Sequence, residues 1–142
     1  MFVTVWLGIY DISTGVLTAS NAGHEYPAIK HKEGAFELYK DKHGIVIAAM
    51  EDMSYSQYDI QLQEGDVWFV FTDGVAEASD IDEKLFGTDR MIDALNKHSD
   101  KGLEGLLNGV KTEIDEFVGE APQFDDITML AIRINEIKGN GD

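Results

Sequence analysis

Apolar and polar positions along this chain change rhythm twice. Residues 2–10 alternate weakly and are rich in β-branched and aromatic side chains, which predicts a buried strand. Residues 11–15 carry turn formers, and residues 16–22 read as the returning partner of a hairpin. Residues 28–31 and 35–39 flank Glu33-Gly34, a second hairpin candidate. Residues 45–50 form a short apolar segment. Tyr58, Ile60 and Leu62 alternate within residues 55–62. Glu64-Gly65-Asp66 then turns the chain into Val67, Trp68, Phe69, Val70 and Phe71, a run of the length and composition of a buried strand.

Beyond this point the period lengthens to that of a helix. Thr88 or Asp89 is placed to cap a helix carrying Met91, Ile92 and Leu95. A longer helix follows Gly102. Leu103, Leu106, Leu107, Val110, Ile114, Phe117 and Val118 step by three and four, so one face is buried, and Gly119 and Pro122 end it. Residues 127–134 read as a last strand, and residues 138–142 as a frayed tail. Strands, two helices and one strand make an α+β arrangement with a mostly antiparallel sheet. With 142 residues, no repeat and no low-complexity stretch, residues 1–142 are read as a single domain.

Composition narrows the partners. An apolar fraction of 44% supplies a core and excludes wholesale disorder. The chain has no apolar run of roughly 18 residues, so no membrane insertion is expected. No basic region precedes the first apolar stretch, as a signal peptide would require. There is no cysteine, hence no disulfide framework and no thiol chemistry. A cytoplasmic location is the expectation. Asp and Glu number 27 against 11 Lys and Arg, a formal charge of −16. Such a field repels nucleic acid and anionic membranes, and is also an ordinary means of staying soluble.

Three short stretches carry the chemistry. Phe71-Thr72-Asp73-Gly74-Val75-Ala76-Glu77 puts a carboxylate at a strand tip beside a residue that tolerates positive φ. Asp125-Asp126-Ile127-Thr128 puts two more before the final strand. Carboxylates at strand ends suit a hard cation such as Mg²⁺ or Mn²⁺. Ser20-Asn21-Ala22-Gly23-His24-Glu25-Tyr26-Pro27 follows another strand pattern. Each stretch alone also reads as a turn; Asp-Gly after a strand is a common one.

Taken together, in this order and spacing, the three stretches resemble the bacterial branch of the metal-dependent serine/threonine protein phosphatases (the PPM family), in particular the stage II sporulation protein E group. The resemblance runs from Met1 to about Ile134. It implies two stacked antiparallel sheets with helices on both outer faces. It implies metal-ligand roles for Asp73 and Asp125. Asp126 ranks third, because strand alternation turns its side chain the other way. Asn21, Gly23 and His24 match the family's loop near the metals. Gly23 serves a backbone turn, and His24 is either a proton donor or a hydrogen-bonding strut. Glu77, one helical turn after Asp73, either bonds the loop or the hydrated metal shell or stands as a solvated carboxylate. His31, His43 and His98 match no motif and are expected at the surface.

The resemblance also implies chemistry without a protein nucleophile, in which two metal ions polarise a phosphate and activate the attacking water. In the family, an earlier Gly-Asp segment followed by glycines and a helix supplies the aspartate that bridges the two ions. The Gly-Asp pairs here, Gly65-Asp66 and Gly141-Asp142, precede no expected helix. The chain is therefore read as the C-terminal portion of a phosphatase domain, reduced in one helical layer, with Met1 an internal methionine or a gene-prediction boundary. Three functions follow from these readings. The chain is part of a phosphatase acting on a phosphoserine or phosphothreonine protein, such as an anti-sigma-factor antagonist; or a degenerate, non-catalytic binding module; or a plain acidic α+β domain whose motifs are turns. The parent gene upstream of Met1 discriminates the first two. An unpaired edge or apolar patch near residues 2–10 predicts a homodimer.

Overall fold

The computed structural model describes residues 2–139; Met1 and residues 140–142, the end of the expected frayed tail, lie outside the described residues. The elements run β1 (Val5–Tyr10), β2 (Val16–Ala22), β3 (Ala28–Lys30), β4 (Phe36–Leu38), β5 (His43–Gly44), β6 (Gln57–Gln61), β7 (Val67–Phe71), α1 (Asp73–Ala76), α2 (Gly87–Lys97), α3 (Gly102–Val118) and β8 (Met129–Arg133). Both expected hairpins form: β1 pairs antiparallel with β2, and β3 with β4.

The strands make two four-stranded sheets. In the first, β2 is central. It pairs with β1 on one side and on the other with β6, antiparallel, and over Asn21 and Ala22 with β5, parallel. The second runs β4-β3-β7-β8, antiparallel throughout. The turn after β6 closes no hairpin, since β6 and β7 belong to different sheets. Asp66 holds this corner. It is 1% exposed, and its carboxylate accepts the N–H groups of Gln63 at 2.9 Å and Lys32 at 3.3 Å, with His31 Nδ1 at 3.2 Å. A buried carboxylate is tolerated where hydrogen bonds replace its water.

Alternation along β7 builds two cores. Val67, Phe69 and Phe71 face α2 and α3, packing with Met91, Leu95, Leu106, Val110 and Ile114. Trp68 faces the first sheet, with Leu17, Ile29, Leu62 and Ile134. A strand buried on both faces carries no polar position, which is why its sequence is a continuous apolar run. Of the expected stripe of α3, Leu106, Val110 and Ile114 are buried and Leu103, Leu107, Phe117 and Val118 half-buried against the same core, and Gly119 (φ 60°) ends the helix, its N–H donating to the Asp115 carbonyl at 2.9 Å.

Four expectations are corrected. The strand expected at residues 2–10 begins at Val5, and Leu7 and Ile9 on it are 60% and 67% exposed. The helices lie against the second sheet, so nothing among the described residues covers that outer face. The first turn of α2 starts at Gly87, ahead of Thr88 and Asp89, with Phe86 at the N-cap and no side-chain cap; Asp89 instead puts its charge in the first turn, where the helix dipole favours it. His98 is buried, not at the surface: its ring nitrogens meet Glu113 at 3.2 Å and Lys101 at 2.8 Å.

Candidate metal centre

The ends of β2 and β7 and the start of β8 bring the three motif stretches to one end of the sandwich. After β7 the chain makes the single turn α1, and the Glu77 N–H donates to the Asp73 carbonyl at 2.8 Å. Residues four apart on a helical turn share a face, so the side chains of Asp73 and Glu77 lie on one side. The loop before β8 is tied to the same point. The Thr72 N–H donates to the Thr128 carbonyl at 3.0 Å, the Thr72 hydroxyl donates to the Asp126 carbonyl at 3.2 Å, and the Thr128 N–H donates to the Thr72 Oγ1 at 3.0 Å. Gly74 allows the approach: a Cβ there would meet the Asp126 carbonyl oxygen at 2.1 Å.

As a result, one oxygen each of Asp73, Glu77 and Asp125 lie within 4.8 Å of one another, all exposed. Among the described residues none of the three has a salt-bridge partner. Oxygens around one Mg²⁺ at about 2.0–2.1 Å stand no more than about 4.2 Å apart. Exposed side chains reach that spacing by small rotations, so an all-oxygen, uncompensated donor set fits a hard divalent cation. The trio does not include Asp126, whose part here is the carbonyl that accepts the Thr72 hydroxyl.

The β2–β3 loop forms the facing wall. Asn21, 1% exposed, accepts the His24 N–H at 2.8 Å and donates to the Glu25 carbonyl at 3.3 Å and to both carboxylate oxygens of Asp41 at 3.2 Å. Asp41 in turn accepts the Tyr58 hydroxyl at 2.7 Å, and Tyr58 accepts the Trp6 indole N–H at 3.0 Å. Burial above all pushes the Tyr58 hydroxyl pKa up. Gly23 (φ +71°) makes the turn, and a Cβ there would meet Val46 Cγ1 at 2.7 Å. His24 Nδ1 lies 3.1 Å from the Thr4 hydroxyl. Thr4, Gly23, His24, Glu25, Thr72 and Asp73 enclose a cavity of about 90 Å³.

Glu25 was not singled out by sequence reasoning, although it stands inside the quoted loop. Its carboxyl pKa is raised, chiefly by burial, then by the negative charge of Asp73 and, more weakly, of Glu77, while His24 works the other way. Thr72 is likewise legible only as part of its motif. Asp41 has no sequence signal, because its role depends on a fold contact with Asn21.

The family model for stage II sporulation protein E (SpoIIE) matches residues 1–135. Protein IcfG of Synechocystis sp. is 32% identical over 135 residues, which is 95% of this chain and 21% of that protein. The phosphoserine phosphatase RsbU of Bacillus subtilis is 32% identical over 78 residues, 54% of this chain and 23% of RsbU. The chain thus spans about a fifth of the length of the curated relatives it matches. Among solved structures, the SiaA-PP2C domain of Pseudomonas aeruginosa superposes with a TM-score of 0.73 at 25% identity, covering 86% of this chain and 48% of that one. The manganese-presoaked phosphatase domain of SpoIIE from Bacillus subtilis gives 0.71 at 17% identity, covering 93% and 56%, a likeness of fold. With its paired sheets, its three motif stretches gathered at one end and a family match over nearly its whole length, this chain belongs to the SpoIIE family of PP2C-like phosphatase domains.

Proposed function

We propose that the domain of which this chain is part hydrolyses phosphoserine or phosphothreonine in a regulatory protein, such as an anti-sigma-factor antagonist, in the cytoplasm, with Mg²⁺ or Mn²⁺ held by Asp73, Glu77 and Asp125. The observation that carries this reading is the convergence of those three carboxylates, from two separate motifs, with no salt-bridge partner among the described residues. A cation bound there supplies Lewis-acid stabilisation of phosphoryl charge and a lowered pKa for water. The chain's own residues do the rest. Thr72 and Gly74 lock the two carboxylate-bearing segments together. Asn21 fixes the loop that presents His24 and Glu25 across the small cavity from Asp73. With no cysteine in the chain, no thiol is available as nucleophile. Three exposed carboxylates hold one hydrated ion more readily than a pair, which favours, as the second reading, a phosphate-binding module without turnover.

Titration of the chain with Mn²⁺, followed by loss of the free-ion electron paramagnetic resonance signal, tests the centre. Binding is expected in the range of roughly 10⁻⁴–10⁻³ M, typical of exposed oxygen sites. Asp73→Asn and Asp125→Asn should each weaken it ~10-fold or more, and Asp126→Asn far less. An Asp73→Asn protein that binds Mn²⁺ as the wild type does would sink the assignment.

A further inference from the structure

A second cavity, of about 220 Å³, adjoins the carboxylate trio. Ile114 and Val118 of α3, Pro122 and Phe124 of the following loop, and Ile127 give it apolar walls, and Glu77 and Asp125 line it as well. Two of the three candidate ligands therefore belong to both sites. Phe124 is 87% exposed, an aromatic side chain that no core retains. Exposed aromatics beside a concave apolar surface are the residue type that anchors bound chains.

We propose that this cavity is a substrate subsite, taking the apolar side chain two residues from the phosphorylated one in an extended phosphopeptide. The proposal rests on the metal-centre reading above. In an extended chain, residues i and i+2 face the same way, roughly 6.6 Å apart. A phosphorylated side chain directed at the cation between Asp73, Glu77 and Asp125 thus leaves its second neighbour directed at the same surface. The cavity begins at Glu77 and Asp125, where that neighbour arrives. Its volume is below the roughly 300–1,000 Å³ of small-molecule pockets and suits one large side chain. Ile114, Val118, Pro122, Phe124 and Ile127 offer an apolar occupant its complement, and Asp115, Glu77 and Asp125 at the rim disfavour an acidic one.

The test uses this chain, Mn²⁺ and two fluorescent phosphoserine peptides, alike except for leucine or the similarly shaped, neutral asparagine at both positions two residues from phosphoserine, read by anisotropy. The leucine peptide is expected to bind roughly five- to tenfold more tightly. Phe124→Ser, an exposed substitution that spares the core, should bring that ratio close to one and leave Mn²⁺ binding unchanged. Equal affinity of the wild type for both peptides, with Mn²⁺ still bound, overturns the subsite and leaves the metal centre standing. Leucine selectivity that survives in Phe124→Ser, or failure to bind either peptide, overturns it too. Leucine selectivity lost in Phe124→Ser but unaffected by Asp73→Asn supports the cavity and counts against the metal centre.

Discussion

Gly74 is the residue on which assembly of the site depends most narrowly. An added Cβ would stand 2.1 Å from a backbone oxygen of Asp126, and a backbone cannot swing aside as a flexible side chain can. Gly74→Ala should therefore destabilise the chain by about 1–3 kcal/mol, the usual cost of overpacking, measured by urea unfolding. It should also weaken Mn²⁺ binding, because relief comes by moving the loop that carries Asp125 away from Asp73. Unchanged stability and unchanged Mn²⁺ affinity would show that the contact relaxes freely. At this scale the sequence was legible where one residue type answers one local demand. Asp73 and Gly74 stand at the end of β7 and Asp125 in the loop before β8, and the trio joins the two aspartates with Glu77, which the one-turn helix α1 brings to the same side. Glu25 and Asp41 were not legible. A carboxylate's burial is decided by what packs over it, and that is a contact between segments distant in sequence.

At the scale of elements, the apolar rhythm located β1 to β4, β6 to β8 and both long helices, because each buries one or two faces and the spacing records which. Partnership between elements left no such trace. The turn at residues 63–66 looks like any tight turn, yet it moves the chain between sheets, and only the buried Asp66 marks it as a corner. His98 was misplaced for the same reason, being buried by α3 and not by its own helix. The joint between α2 and α3 makes a prediction in pH. Hydrogen bonds, first from Lys97 and then from His98, hold the Glu113 carboxyl below its usual range; Glu116 is the other charge that Lys97 feels. A depressed carboxylate pKa contributes stability that is complete above the ordinary value of about 4.3 and disappears as pH falls through the folded one. Glu113→Gln should thus lower Tm by no more than a few degrees at neutral pH, as for exposed ion pairs, and the two melting curves should converge in acid. A difference that persists or widens below pH ~3 would assign the effect to packing instead of charge.

The whole molecule sets two forces against each other. Its charge of −16 repels a second copy, while Phe2, Leu7, Ile9 and Ile12, each at least 60% exposed, present apolar surface on and beside β1. Among the described residues β2 is the one strand paired with β1, and beyond the isolated bridges Val5 to Gly23 and Val3 to Ile47 the other edge of β1 has no strand beside it. An edge of this kind, with an apolar face, is a template for another strand. We propose that the isolated chain forms a homodimer through β1. The opposing charges are spread over the surface and are screened beyond about 10 Å at 0.1 M salt, whereas apolar burial is not. Raising salt should therefore strengthen association, the reverse of what an interface made of ion pairs would do. Ile9→Lys places a charge on the exposed side of the strand without touching either core, so it should leave Tm nearly unchanged and weaken the dimer ~10-fold or more. Sedimentation equilibrium at several protein and salt concentrations reads both effects. A chain that stays monomeric at high concentration and high salt would rule the dimer out, and would mean that the apolar area on β1 is too small to outweigh the entropy of association.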